Sequence, residues 1–261
     1  MRSARSFAMG VIERGVGRLP LGALQRVETA AQLAQGKGWG ASTTEREVAA
    51  ALSLLPAGYG KGIAVADVGA NVGAWTAALL AAAPTATVHA FEPSSVAYET
   101  LDRRLGSQPS VQLYRTAVGS TEGTATLWAD FAGSGLGSLQ QRRLDHFGKT
   151  MNASEEVRVT TLDSWAASTG VSPVLLKMDV EGRELDVLAG ASNVLRSVKV
   201  AQFEFGGCNI DTRTFFQDFW YFFEALGFRI HRLGPRGLHL VSKYSEADEC
   251  FSTTNFFAVR K

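Results

Sequence analysis

Short apolar runs alternate with longer amphipathic stretches along most of the chain after residue 62. The runs have the length of buried strands, and the stretches between them have the apolar spacing of helices. This alternation is typical of βαβ units, so we expect an α/β fold in which helices cover a parallel sheet. Strands are predicted at residues 63–68, 87–92, 111–117, 174–179, 200–205, 228–233 and 256–259, and helices at residues 74–83, 95–105, 184–189 and 214–226.

The segment 130–156 interrupts this pattern. It is polar and rich in glycine, and two further strands, at residues 122–129 and 157–159, are predicted to flank it. Its composition favours a loop over a core element. A mobile loop over a ligand site and an inert surface loop are both consistent with it.

Residues 1–60 have a different pattern of apolar and polar residues, and they are predicted to form an N-terminal helical cap, separate from residues 61–261. A helix from residue 44 to 55 is expected, because Thr44 and Glu47 fit the capping-box spacing. Before it, five arginines lie among apolar residues, which suits either a solvated helix or a basic helix resting on a membrane surface or a lipid-linked substrate. These arginines are Arg2, Arg5, Arg14, Arg18 and Arg26.

Composition limits the classes of partner. The chain of 261 residues has 26 basic and 25 acidic side chains, so its charge gives no reason to expect a nucleic acid. Cys208 and Cys250 are too far apart in the sequence to indicate a zinc site or a disulfide framework. No apolar stretch reaches the roughly 18 residues of a membrane span, and none resembles a signal peptide. We therefore expect a cytoplasmic protein.

The first candidate site follows the strand at residues 63–68. Gly69 and Gly73 allow a ligand to approach the backbone closely, and the helix that begins there offers amide donors. The third glycine of a dinucleotide site is missing, and the absence of a following Lys-Ser/Thr excludes a P-loop. The carboxylate of Asp67 would repel a phosphate, but it suits the ammonium group of an amino-acid ligand.

The second candidate site is Glu92, which ends the next predicted strand 19 residues after Gly73. At this spacing a carboxylate reaches the two hydroxyls of a bound ribose. Together the two sites predict an adenosine ligand that lacks a 2′-phosphate.

These stretches, with others downstream, resemble the FkbM-type class I methyltransferases. The Lys-x-Asp-Val-Glu-Gly stretch that begins at Lys177 is the most distinctive, and the resemblance covers residues 63–205 in the order of the family. The matching segments are residues 67–73, 90–93, 117–119, 161–164, 176–184, 188–190 and 203–205.

The resemblance implies a Rossmann-like, seven-stranded sheet with helices on both faces, whose last strand, at residues 256–259, is antiparallel. It also implies S-adenosylmethionine as the methyl donor and, as the acceptor, a hydroxyl group on a sugar, glycolipid or secondary metabolite. The loop after the first strand would face the methionine moiety, Glu92 the ribose, and Ala117 and Val118 the adenine. The cofactor-binding residues implied are Asp67, Gly69, Ala70, Asn71, Gly73, Glu92, Pro93, Ala117 and Val118.

Three carboxylates are candidates for the chemistry: Asp179, Glu181 and Glu204. An alcohol must lose its proton during attack, and a nearby carboxylate can accept it. A Mg²⁺ ion held by Asp179 and Glu204 could instead lower the pKa of the alcohol. Glu181 also suits a helix cap, and Lys177 suits a buried partner of a carboxylate.

Two other functions compete with this one. An NAD-dependent oxidoreductase would use the same sheet and ribose carboxylate, although the third glycine is missing. A non-catalytic module could keep the fold and bind a partner through its arginine-rich N-terminus, although the intact loop and Glu92 argue against it.

Overall fold

The computed structural model describes residues 19–40, 43–59 and 62–261. Eleven strands are present in this part of the chain: β1 Ala64–Val68, β2 Thr87–Phe91, β3 Val111–Tyr114, β4 Ala117–Val118, β5 Gly123–Ala129, β6 Ala153–Thr160, β7 Leu175–Met178, β8 Val200–Phe205, β9 Phe228–Gly234, β10 Gly237–Val241 and β11 Thr254–Arg260. Its α-helices are α1 Leu21–Ala34, α2 Thr44–Ser53, α3 Ala74–Ala82, α4 Ser95–Leu105, α5 Leu162–Thr169, α6 Glu184–Ala189, α7 Cys208–Thr212 and α8 Phe216–Ala225.

Eight strands form the main sheet, in the order β10-β9-β11-β8-β7-β1-β2-β3. The five strands from β8 to β3 are parallel, whereas β11 runs antiparallel to both of its neighbours. From β1 the chain first builds β2 and β3 on one side, and later β7 and β8 on the other. The order therefore reverses beside β1, where ligands bind at the carboxyl ends of the strands in open α/β sheets.

Side chains that alternate along the strands fill a core on each face of this sheet. On one face, Ala66 and Val68 of β1 lie in a cluster with residues of α5, α6 and α8. On the other face, Val65 packs with α2, α3 and α4. Phe216, Phe219 and Phe223 of α8 are fully buried in the first of these cores.

The predicted α/β architecture, with an antiparallel last strand, is confirmed, with three differences in detail. The predicted strand 111–117 is two strands, because β4 leaves the main sheet and pairs with β6 in a three-stranded sheet with β5. The hairpin after β9 adds β10 as an eighth strand at the sheet edge. Helices α5 and α7 were not predicted, and α2 ends at Ser53, before the expected residue 55.

The N-terminal region is described only in part. Arg2, Arg5, Arg14 and Arg18 lie outside the described residues, and α1 buries none of its own side chains. Helix α2 differs, because Val48 and Ala51 are buried in the core beside β1. None of the described helices is long and apolar enough to cross a membrane. The division of the chain at residue 60 stays a prediction.

Candidate active site

The loop after β1 lies directly against the loop after β7. Gly69 has a φ of +77°, and a Cβ there would collide with the backbone carbonyl of Asp179. The backbone N–H of Asp179 donates to Val68 O at 3.0 Å, which continues the strand pairing to the end of the sheet. A glycine is therefore required at residue 69, since only glycine combines this φ with such close backbone contact.

Glu92 ties the loop after β1 to the loop after β2. Its Oε2 accepts a hydrogen bond from the backbone N–H of Asn71 at 2.8 Å, and its Oε1 accepts one from Ser94 at 2.9 Å. Burial raises the pKa of Glu92 to about 6, even though these two hydrogen bonds favour the charged form. Each carboxylate oxygen keeps a further lone pair for a ligand.

A cleft of about 690 Å³ opens beside these loops at the carboxyl ends of β1, β2 and β7. We call it the central cleft. Its walls bring together six of the predicted cofactor residues with Asp179 and Glu181. The six are Gly69, Asn71, Glu92, Pro93, Ala117 and Val118.

The polar loop between β5 and β6 covers one side of the central cleft. Ser134, Gly135 and Ser138 of this loop line the cleft. The Ser138 hydroxyl donates to the backbone carbonyl of Glu181 at 2.9 Å. Of the two interpretations of this segment, a loop over the site agrees with these contacts; its mobility remains a prediction.

Three predicted cofactor residues lie outside the central cleft. Asp67 is fully buried, and its carboxylate accepts a hydrogen bond from the Thr76 hydroxyl at 2.6 Å. Its oxygens face α3 and Lys177, and a contact between Asp67 and the ammonium of a ligand stays a prediction. Gly73, with a φ of +78°, packs against α4, and Ala70 lines a different cavity.

Lys177 lies beneath the loop after β1, and its ammonium contacts three other residues. Its Nζ lies 3.2 Å from Asp67 Oδ1 and 3.5 Å from Asp179 Oδ2, and it donates to the Gly69 carbonyl at 2.9 Å. Burial alone would lower the pKa of Lys177, but the carboxylates of Asp67 and Asp179 outweigh it and raise the pKa. The expected role of Lys177 as a buried partner of a carboxylate agrees with this geometry.

A second space, of about 640 Å³, adjoins the central cleft, and we call it the side cavity. Gly69, Asn71 and Asp179 border both spaces. Asp179 therefore stands at their junction, and its side chain is 43% exposed. Other residues around the side cavity are Gly40, Thr44, Glu47, Ala70, Trp75, Lys177, Glu204 and Asn255.

The other two predicted catalytic carboxylates line different spaces: Glu181 borders the central cleft and Glu204 borders the side cavity. Glu181 has a left-handed backbone, with a φ of +56°, and pairs with Arg142. Burial, helped by the negative charge of Asp179, raises the pKa of Glu181 despite this arginine. Glu204 lines only the side cavity, where burial and the same carboxylate raise its pKa well above the ordinary value.

Some functional contacts had no clear sequence signal. Arg142 is buried and also contacts Asp211, at 3.4 Å, so it connects the polar loop to α7. Glu184, known only as part of a motif, accepts hydrogen bonds from the backbone N–H groups of Val180 and Gly182. Burial raises the pKa of Glu184 to about 7. The ion pairs of Arg142 and the hydrogen bonds to Glu184 together hold the turn that carries Glu181.

The magnesium site predicted at Asp179 and Glu204 gains no support. Across residues 19–40, 43–59 and 62–261, no group of three or more His, Cys, Asp or Glu side chains is arranged to hold a metal ion.

The comparison with known families decides between the remaining functions. The profile described as the methyltransferase FkbM domain matches residues 67–230, which is more than half of the chain. The chain belongs to the FkbM methyltransferase family. This membership confirms the resemblance carried by the sequence motifs and favours a methyltransferase over an oxidoreductase or a non-catalytic module.

Similar proteins agree with this assignment. The chain is 29% identical over 144 residues to "Methyltransferase 1" of Beauveria bassiana, a match that covers 48% of this chain and 57% of that relative. The match thus spans little more than half of the relative's length.

Solved methyltransferases resemble the chain in fold alone. One is the magnesium protoporphyrin IX methyltransferase of Synechocystis PCC 6803 with bound S-adenosylmethionine (13% identity, 84% of this chain, 79% of that chain, TM-score 0.45). Another is the S-adenosylmethionine-dependent O-methyltransferase of Thermotoga maritima (14% identity, 82% of this chain, 64% of that chain, TM-score 0.42).

Proposed function

We propose that this FkbM-family protein is an S-adenosylmethionine-dependent O-methyltransferase whose acceptor is a hydroxyl group of a sugar, glycolipid or secondary metabolite. The observation that carries the proposal is the position of Asp179. It borders the central cleft, where the cofactor would lie, and also the side cavity.

The central cleft suits the adenosine part of the cofactor. The lone pairs left on Glu92 can accept hydrogen bonds from both ribose hydroxyls, whereas its charge would repel a 2′-phosphate. Ala117, Val118 and Leu127 provide an apolar wall for the adenine ring. When bound, S-adenosylmethionine supplies an electrophilic methyl group on its sulfonium.

Asp179 is the proposed proton acceptor. The acceptor hydroxyl loses its proton as its oxygen attacks the methyl carbon, and a carboxylate within hydrogen-bond reach can take that proton. The ammonium of Lys177, 3.5 Å away, orients the Asp179 carboxylate. Glu181 and Glu204 assist by shaping the two spaces on either side.

We also propose that the protein acts in the cytoplasm on a small-molecule, glycan or glycolipid acceptor, without a nucleic acid. Contact of the arginine-rich N-terminus with a membrane surface fits a lipid-linked acceptor. Arg26 is exposed on α1, which leaves it free to approach such a surface.

Isothermal calorimetry tests the cofactor first. We expect S-adenosylhomocysteine to bind with micromolar affinity and NADH not to bind. A screen of hydroxylated glycans, glycolipids and secondary metabolites, with mass detection of a methyl group gained, then tests the reaction. Asp179→Asn should retain S-adenosylhomocysteine binding but lose turnover; turnover at the original rate would remove Asp179 from this role.

A further inference from the structure

A third pocket lies between the outer face of α2 and the hairpin of β9 and β10, and we call it the hairpin pocket. It shares no lining residue with the central cleft or the side cavity. Strand β9 runs in the same direction as β8, because β11 is antiparallel to both. The turn after β9 therefore lies at the same edge of the sheet as the candidate active site.

Two arginines give the hairpin pocket a positive charge. Arg46 belongs to α2 and Arg236 to the turn of the hairpin, and no aspartate or glutamate is among the lining residues. Within the described parts of the chain, neither arginine forms an ion pair with a carboxylate. Guanidinium groups that are not paired within the protein are suited to bind a phosphate group, because each can donate two parallel hydrogen bonds to it.

Neighbouring residues position both arginines. The guanidinium of Arg46 lies over the ring of Trp39, 4.8 Å from its centroid, and Nη1 of Arg46 reaches to 3.5 Å from the Pro235 carbonyl. Arg46 thus extends from α2 to the hairpin. Only Pro235 and Arg236 separate the two register-paired glycines of the hairpin, Gly234 and Gly237. The proline ring restricts this short turn, so the backbone that carries Arg236 is also fixed.

The hairpin pocket also has apolar walls. Ala49 and Ala50 line it from α2, and Leu233 and Leu238 line it from the hairpin. Inorganic phosphate would leave these side chains in contact with water, whereas a phosphate ester with an apolar part would cover them. The combination of two arginines and an apolar wall therefore favours the headgroup of a lipid over a free anion.

Helix α1 is attached to the same hairpin by its C-terminal end. A Cβ at Gly36 would collide with the backbone carbonyl of Leu233, so the chain after α1 lies directly against β9. The side chain of Arg232, also on β9, donates from Nε to the Gln35 carbonyl at 2.8 Å. These contacts hold the end of α1 beside the hairpin pocket.

The rest of α1 lacks support from the described part of the fold. None of its side chains is buried, and Leu21 and Val27 are more than half exposed. A helix of 14 residues is only marginally stable in water without a surface to pack against. Residues 1–40 contain six basic and two acidic residues, a charge that is complementary to an anionic lipid surface.

We propose that the hairpin pocket binds the phosphate group of an anionic membrane lipid through Arg46 and Arg236, while α1 lies on the membrane beside it. The inference rests on the membrane contact in the proposed function and adds a defined headgroup site to it. Because the hairpin turn and the candidate active site share one edge of the sheet, this contact would bring a lipid-linked acceptor toward the central cleft.

Co-sedimentation of the full chain with vesicles tests the proposal. We expect binding to vesicles of phosphatidylcholine and phosphatidylglycerol in equal parts, and none to phosphatidylcholine alone. Arg46→Gln/Arg236→Gln should bind the mixed vesicles about thirty-fold more weakly, since each arginine near an anionic surface contributes about 1 kcal/mol. Equal binding to both kinds of vesicle would overturn the assignment of an anionic lipid.

A second double variant is the matched control. Arg196→Gln/Arg229→Gln removes the same charge from exposed positions at the opposite edge of the sheet, before β8 and at the start of β9. Its affinity for the mixed vesicles should change by less than about two-fold, because screening by salt limits the range of these charges. An equal loss in the two double variants would mean that net charge, and not the hairpin pocket, controls binding.

Lysine substitutions separate a headgroup site from diffuse attraction. Arg46→Lys/Arg236→Lys keeps the charge but loses the paired hydrogen bonds of each guanidinium, so we expect about five-fold weaker vesicle binding. Wild-type affinity in this variant would contradict a site that recognises phosphate. Inorganic phosphate at micromolar concentration should not displace the wild-type protein from the vesicles. Displacement would mean that the pocket takes a free anion, which would overturn the assignment of a lipid.

The outcomes distinguish this inference from the proposed function. If the wild-type protein does not bind the mixed vesicles, the membrane contact fails and the headgroup site fails with it. If it binds them but Arg46→Gln/Arg236→Gln binds equally well, only the headgroup site fails. Calorimetry with S-adenosylhomocysteine tests the methyltransferase separately, because neither arginine borders the central cleft or the side cavity. The same measurement on each variant verifies that it is folded.

Discussion

The ammonium of Lys177 lies 3.2 Å from the carboxylate of Asp67, in an ion pair that is almost completely buried beneath the loop after β1. Asp67 belongs to β1 and Lys177 to the neighbouring β7, at paired positions in the register. The pair therefore joins the two strands whose loops border the central cleft. Because Lys177 also contacts Asp179, the same ammonium links the support of the proposed cofactor loop to the proposed proton acceptor.

Removing this ammonium should destabilise the fold. Lys177→Met leaves Asp67 buried without its counter-charge, and breaking a buried pair in this way costs about 3–5 kcal/mol. Urea unfolding followed by circular dichroism measures the loss. Lys243→Met is the control, because Lys243 is exposed, and its free energy of unfolding should stay within about 0.5 kcal/mol of wild type. A loss below about 1 kcal/mol in Lys177→Met would contradict the structural role of the pair.

The charge of Glu92 should make cofactor binding depend on pH. Burial raises the pKa of Glu92 to about 6, so lowering the pH through this value protonates the carboxylate and removes an acceptor for a ribose hydroxyl. If only the ionised form binds, S-adenosylhomocysteine affinity should fall about ten-fold between pH 7.5 and pH 5. In Glu92→Gln, the weaker binding that remains should lose this dependence. An equal pH dependence in both proteins would assign the titration to another group.

The contact between Arg142 and Glu181 should keep the polar loop closed over the central cleft. Arg142→Gln removes the ion pairs with Glu181 and Asp211, so we expect faster proteolysis within residues 130–152 and weaker S-adenosylhomocysteine binding. Limited trypsin digestion with mass spectrometry measures the first effect. Arg143→Gln, whose side chain is exposed, should behave like the wild type apart from the lost cleavage site. Equal protection in the two variants would mean that Arg142 does not hold the loop.

Two glycines with a similar positive φ should respond differently to alanine. Gly69→Ala combines an unfavourable φ of +77° with a collision against the backbone of Asp179. Gly170→Ala has a similar φ of +73° but open space around it, so it should cost only about 1 kcal/mol. Thermal unfolding should therefore show a clearly larger loss for Gly69→Ala. Equal losses of stability in Gly69→Ala and Gly170→Ala would mean that the close approach of the loops after β1 and β7 does not contribute to stability.

The sequence alone determined most of the sheet and the residues proposed to bind the cofactor. The strand that ends in Asp67 and the glycines after it are local signals, because turn geometry and helix starts depend on neighbouring residues. The spacing from Gly73 to Glu92 then follows from one helix and one strand between them. For the same reason, the family stretch that begins at Lys177 could be identified without coordinates.

Only the tertiary structure decided which way these groups face and what covers them. It turned Asp67 away from the central cleft and toward Lys177, which follows it by 110 residues, and it placed Arg142 against Glu181. It also set Glu47 of the N-terminal region beside Glu204 in the side cavity. These contacts join residues that are distant along the chain, and they form only when the strands pair and the helices pack. Periodicity and spacing describe residues that are close together in the sequence, so they do not predict these long-range contacts.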